Sequence, residues 1–200
     1  MVGEDRREQI LSAAERVATV DGLEALTMRS AAAAAEVSLR LVQYYFHSKA
    51  GLLDAVLTRF SERGYADSRS RIEAIAGASA ARRLQMFARS VLPIDDEGRR
   101  FHRLGVSFAS LALREPDVAQ SAYRANLLVL ESVLAHMIAD ACAESGSDRI
   151  DAVAEARLLM ATLHGLGTMM MVAHINEIDA TDVVDRLLSG RTWFDATGRN

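Results

Sequence analysis

Thr27–Leu53 reads TMRSAAAAAEVSLRLVQYYFHSKAGLL, and this stretch decides the fold. It holds three helix starts in about 25 residues. Thr27, Ser38 and Ser48 each offer a side-chain oxygen to the free N–H groups that open a helix. Behind Thr27 lies the block Ala31–Ala35, whose small side chains let two helices approach closely. Behind Ser38, with Val37 as an apolar plug, a short helix is expected from Leu39 to about Tyr45. Behind Ser48 a longer helix carries Leu52, Leu53, Val56, Leu57 and Phe60. Starts this dense predict a compact helix-turn-helix with a further helix locking the first two, rather than a long bundle.

Helical periodicity continues on both sides. Upstream, Ile10, Ala13, Ala14, Val17 and Ala18 share one face of a helix over Arg6–Val20, which Asp21-Gly22 should end. Downstream, residues 66–75 extend the fourth helix. Further helices are expected near Ala80–Leu92, Arg99–Arg114, Asp117–Glu144, Ile150–Ile175 and Ala180–Leu188. Pro93 and Pro116 fall between them as breakers, and Asp179–Asp182 looks like a capped start. The fold class is therefore all-α. The N-terminal domain is expected over 1–64 and a helical domain over 65–200.

Composition narrows the function. Half of the 200 residues are hydrophobic and a quarter are charged, as in an ordinary globular chain. The one cysteine, Cys142, excludes an internal disulfide framework and a cysteine-rich zinc site, and fits a reducing cytoplasm. The charged start MVGEDRREQI lacks the apolar run of a signal peptide. No uninterrupted apolar stretch is expected to span a bilayer; the best candidate is Leu158–Ile175. On these features a cytoplasmic chain with no membrane partner is expected. The net charge of −4 does not advertise a polyanion ligand, and the first 60 residues carry seven basic and eight acidic side chains. Placement therefore matters more than total charge. Lys49 is the only lysine in the chain.

The segment Arg6–Phe60 resembles the N-terminal domain of the TetR family of bacterial transcriptional regulators. The resemblance rests on Asp21-Gly22, Leu26-Thr27-Met28-Arg29, Val37-Ser38, Tyr44-Tyr45-Phe46, Ser48-Lys49 and Leu52-Leu53. It covers about a quarter of the chain. It implies a homodimer bound to a double-stranded DNA operator, a small-molecule effector, and no enzymatic activity or cofactor. The recognition helix would run from Ser38 to Tyr45. Base edges would be read by Leu39, Arg40 and Gln43. Phosphates would be held by Thr27, Ser38, Tyr44, Tyr45 and Lys49. Two residues depart from the pattern. Glu36 stands where glycine is common, and at positive φ it would carry strain of roughly 1 kcal/mol. Leu41 stands where a small or polar residue is usual.

The competing reading is a non-enzymatic helical interaction module, in which Ala31–Phe46 is simply two core helices. That reading does not require Tyr44, Tyr45 and Lys49 together. Adjacent helical residues cannot both face a core, so one of the two tyrosines should be exposed. An enzyme would need convergent nucleophile, base and oxyanion donors or a phosphate loop, and the sequence offers neither. His102, His136, His164 and His174 lack helical ligand spacing. Cys142 reads as a small buried residue.

Under the resemblance, the C-terminal helices would surround an effector pocket lined by Phe87, Phe101, Phe108, Tyr123, Leu127, His164 and Met170. Simple core filling is the alternative for each, and for Met169–Met171. Asp117–Glu144 and Ile150–Ile175 would form the dimer interface, with Ala154, Leu158, Ala161, Gly165 and Thr168 as a small-residue seam. Arg99, Arg100 and Arg103 are expected either to be solvated or to reach acidic residues of the N-terminal domain.

Overall fold

The computed structural model describes residues 2–73, 75, 77–147 and 150–191. Helices follow one another as α1 (Val2–Val20), a 3-10 turn (Leu23–Ala25), α2 (Met28–Ala34), α3 (Leu39–Phe46), α4 (Lys49–Glu73), α5 (Ala80–Ser90), α6 (Asp96–Arg114), α7 (Pro116–Ser145), α8 (Ala152–Met171) and α9 (Glu177–Ser189). The described residues contain no strand. The fold is all-α, as the periodicity requires.

The start signals act where the side chains predict. Thr27 Oγ1 accepts from the Ser30 N–H at 2.9 Å, and Ser30 Oγ accepts in return from the Thr27 N–H at 2.8 Å. This is a capping box built with serine. Ser38 Oγ accepts from Leu41 N–H, and Ser48 Oγ from Gly51 N–H. Three expectations change. Pro116 is the first residue of α7 rather than a breaker before it, a position where a missing N–H costs nothing. The cap of α9 is Asn176, which accepts from Asp179 N–H at 2.9 Å. The longest apolar helix is α7. It is long and apolar enough to cross a membrane by length and composition, with a mean hydropathy of 1.4 over its best stretch. Single charges at Glu131 and Asp140 hide it from a search for uninterrupted apolar runs.

The chain divides into two compact units. The first comprises residues 1–63 with 103–126, the second residues 64–102 with 127–200. In the first, Ile10, Ala13, Ala14 and Val17 of α1 meet Val42 and Phe46 of α3, Leu52, Leu53 and Val56 of α4, and Leu104, Phe108 and Leu111 of α6. The segment that follows residue 64 in sequence thus supplies part of the core around the helix-turn-helix. Polar ties brace the periphery. Arg59 meets Glu8 at 2.5 Å and Glu15 at 3.0 Å, which joins α4 to α1.

In the second unit, Leu84 and Phe87 of α5, Leu134 and Ile138 of α7, Leu159 and Leu163 of α8, and Val184 and Leu188 of α9 share one core. Cys142 is buried there, and burial, helped by nearby Glu155, pushes its thiol pKa up. Asp185 receives Gln85 at 2.8 Å and also Arg89, stapling α9 to α5. Arg157 grips Glu131 with two nitrogens, at 2.8 and 3.2 Å, across α8 and α7.

Candidate nucleic-acid interface

The turn between α2 and α3 begins with backbone bonding. Glu36 N–H donates to Ala33 C=O, and Val37 N–H to Ala32 C=O at 3.0 Å. This pattern ends a helix through one left-handed residue, and that residue is Glu36, at φ +55. The glutamate therefore sits in the strained conformation that glycine would adopt freely. Gln9 of α1 holds the turn from the side: its Nε2 donates to Ala35 C=O at 2.9 Å. Nothing in the local pattern around Gln9 signals this bond, because the partner lies 26 residues away.

From this turn α3 emerges with two distinct faces. Val42 and Phe46 are buried, whereas Arg40, Gln43 and Tyr44 are exposed, the last at 71%. Leu39 is half-buried, packed at the edge of the first core. Positions 40, 43 and 44 share one side of a helix by their spacing. The Arg7 guanidinium lies 5.3 Å above the Phe46 ring, tying α1 to the far end of α3.

Tyr44 is exposed and Tyr45 half-buried, their rings meeting edge to face with centroids 5.1 Å apart. The single pattern Tyr-Tyr-Phe thus yields three levels of exposure. The α3–α4 corner is tight. His47 has φ +60, and Ser48 N–H donates to Phe46 C=O at 2.6 Å. Gly51 makes the corner possible: a Cβ there would run into the Phe46 carbonyl oxygen. This contact sets the start of α4, with Lys49 in its first turn, directly beside the end of α3.

Thr27 and Ser38 are exposed at the starts of α2 and α3, and each already serves as a cap. Lys49 is partly exposed and its Nζ lies 3.5 Å from Glu115 Oε2. The neighbouring Arg114 pairs with Glu24 in the 3-10 turn. For Arg99, Arg100 and Arg103 the default expectation was a solvated face, and the sharper one a contact with acidic residues of the N-terminal domain. Arg99 instead turns back on Asp96 and the Ile94 carbonyl, both at 2.7 Å, while Arg100 and Arg103 are exposed. Asp96 at the helix start offers a nearer partner, and its hydrogen bond from Arg99 lowers its own pKa.

The expected pocket residues divide between the units. Phe108 is fully buried and Tyr123 half-buried in the first; burial raises the Tyr123 pKa. Phe87 is buried in the second, with Met170 packed at the margin of the same core. Leu127 and His164 are exposed, and Phe101 is half-buried against Gly64. The structure adds His102, whose ring centroid lies 5.5 Å from that of His164 and whose Nε2 is 3.1 Å from Thr168 Oγ1. Thr168 Oγ1 donates to the His164 carbonyl, so it accepts from His102 Nε2–H. Burial, then the nearby His164, holds the His102 pKa at about 4.

Two family models match the chain. The one for bacterial regulatory proteins of the tetR family matches residues 10–56, and the one for the C-terminal part of BetI-type transcriptional repressors matches 80–191. Among solved structures, a protein described as a TetR-family transcriptional regulator from Rhodococcus sp. is 25% identical. The likeness covers 98% of this chain and 100% of that one, with a TM-score of 0.78. A transcriptional regulator from Rhodococcus sp. Rha1 is 26% identical over 92% and 96%, with a TM-score of 0.71. The multidrug binding protein EbrR, in complex with imidazole, is 27% identical over 91% and 94%, with a TM-score of 0.66. No curated protein matches the chain in sequence.

Proposed function

The chain belongs to the TetR family of bacterial transcriptional regulators, and from that premise we propose that it is an effector-released repressor acting as a homodimer on a near-palindromic operator. The observation that carries the reading is α3. A capped, eight-residue helix turns Val42 and Phe46 inward and leaves Arg40, Gln43 and Tyr44 outward. That is the form of a helix that enters a major groove.

The chemistry then assigns itself. The Arg40 guanidinium can pair with both acceptors of a guanine, Gln43 with adenine, and Leu39 with a thymine methyl. Thr27, Ser38, Tyr44, Tyr45 and Lys49 would hold phosphates and fix the register of the helix. At Lys49 the ammonium and the free N–H groups of α4 would address one phosphate together.

Dimerisation is assigned to α7 and α8. Ala154, Leu158, Ala161, Gly165 and Thr168 all lie exposed along one side of α8. Leu128 and Val129 of α7 are about half exposed, and only 22% of the apolar stretch of α7 is buried. Small side chains allow close helix approach, and the exposed apolar groups gain by being covered. A second copy explains this face better than lipid does, because the same helices carry Arg157 and Glu131 as an ion pair.

The effector is proposed to be a small, largely apolar molecule held by the C-terminal helices, near Phe101, His164 and Met170. EbrR, described as a multidrug binding protein, supports this class. Release from DNA requires that the molecule bind one conformation more tightly than the other. A protein that works on DNA in this way resides in the cytoplasm and performs no catalysis.

Two substitutions separate base reading from phosphate holding. Arg40→Ala should relax preference at one position in each half-site, at a cost of about 1–3 kcal/mol on the best sequence. Lys49→Ala should weaken all sequences alike and flatten the salt dependence by about one phosphate contact per subunit. Anisotropy titrations with matched and mismatched duplexes read both. If neither variant differs from the parent on any sequence, the contact map is wrong.

A further inference from the structure

The only lysine in the chain already has an acidic partner. Lys49 Nζ lies 3.5 Å from Glu115 Oε2, and both side chains are part-exposed, at 36% and 47%. Glu115 is firmly placed. Its N–H donates to Leu111 C=O at 2.7 Å, and its own C=O accepts from Val118 and Ala119 N–H. It therefore occupies the corner between α6 and α7, immediately before Pro116. The residue beside it, Arg114, pairs with Glu24, three residues before Thr27. Two consecutive side chains of opposite sign thus pair with residues of the N-terminal segment, Arg114 with Glu24 and Glu115 with Lys49.

We propose that Glu115 is an intramolecular competitor of DNA: its carboxylate occupies the Lys49 ammonium that a phosphate must otherwise bind, and so sets the affinity of the interface. This rests on the reading of Lys49 as a phosphate contact. The physics favours a tunable competitor over a permanent lock. A part-exposed pair at this distance is weak, and the flexible lysine stem lets the ammonium exchange partners. When DNA docks, the carboxylate loses its cation, and that loss opposes binding. The placement on the α6–α7 corner also means that any movement of that corner changes how strongly Lys49 is held.

The test uses the full chain and a double-mutant cycle on duplex binding: parent, Glu115→Gln, Lys49→Ala and the double variant, over a range of salt. Glutamine keeps the size and backbone bonds of the corner while removing the charge; thermal melts check that each variant folds. Glu115→Gln should bind specific and non-specific duplex about two- to fivefold more tightly at low salt, with the gain shrinking as salt rises. In the Lys49→Ala background the gain should vanish. A gain that persists without Lys49 overturns the competition, because it then reflects net charge alone. No gain, with Lys49→Ala still weakening binding, overturns the role of Glu115 and leaves the phosphate contact standing. Lys49→Ala binding like the parent removes the phosphate contact and the competitor with it.

Discussion

Glu36 shows how one side chain can act on both stability and binding. It holds φ +55 at the end of α2, where a Cβ costs about 1–2 kcal/mol. Glycine would remove that strain but would add about 0.5–1 kcal/mol of unfolded-chain entropy. Glu36→Gly should therefore raise stability by about 0.5 kcal/mol, read by urea unfolding with an unchanged slope. It also removes a carboxylate from the turn that precedes α3, so non-specific DNA affinity should rise. A variant less stable than the parent contradicts the strain argument. The sequence exposed the Glu36 departure, because the turn itself could be located from Thr27 and Ser38. It could not show Gln9 bonding to Ala35 or Lys49 meeting Glu115. Those partners lie 26 and 66 residues apart, and only the packing of α1 and α6 against the helix-turn-helix brings them together.

At the scale of helices, α6 and α8 meet through a histidine. A Cβ on Gly167 would strike the His102 ring, so the glycine is what admits it. His102 donates to Thr168 and stays neutral down to about pH 4, because of burial and then His164. In the unfolded chain the same imidazole takes a proton below about 6.5. Above that pH both states bind the same protons here and the contribution is constant. As pH falls from 6.5 toward 4 the unfolded state alone gains the proton, so stability is lost. The loss in melting temperature between pH 7 and 4.5 should be smaller in His102→Gln than in the parent. An equal loss in both would place the pH sensitivity elsewhere. Helix order and most boundaries were legible from periodicity and caps. The meeting of His102 with His164 was not, since the two residues lie 62 positions apart in the sequence.

For the whole molecule, the family models account for residues 10–56 and 80–191, so both the DNA-reading segment and the C-terminal helices have counterparts in one family. The helix-turn-helix was visible in sequence because three caps and a core pattern coincide within about 25 residues. An effector pocket could not be read from the sequence in the same way, because aromatic residues on amphipathic helices fill cores and line cavities by the same spacing. Phe108 and Phe87 prove to be core residues of separate units. Neither was separable from a cavity wall by periodicity alone.

In the proposed complex α3, presented twice by a dimer, reads base edges in successive major grooves. Selection of bound duplexes from a random library by the 200-residue chain puts this to the test. The expected product is an inverted repeat whose half-sites are centred about one helical turn, or slightly more, apart. Recovery of no sequence above the non-specific background, or of a single unrepeated element, would contradict it.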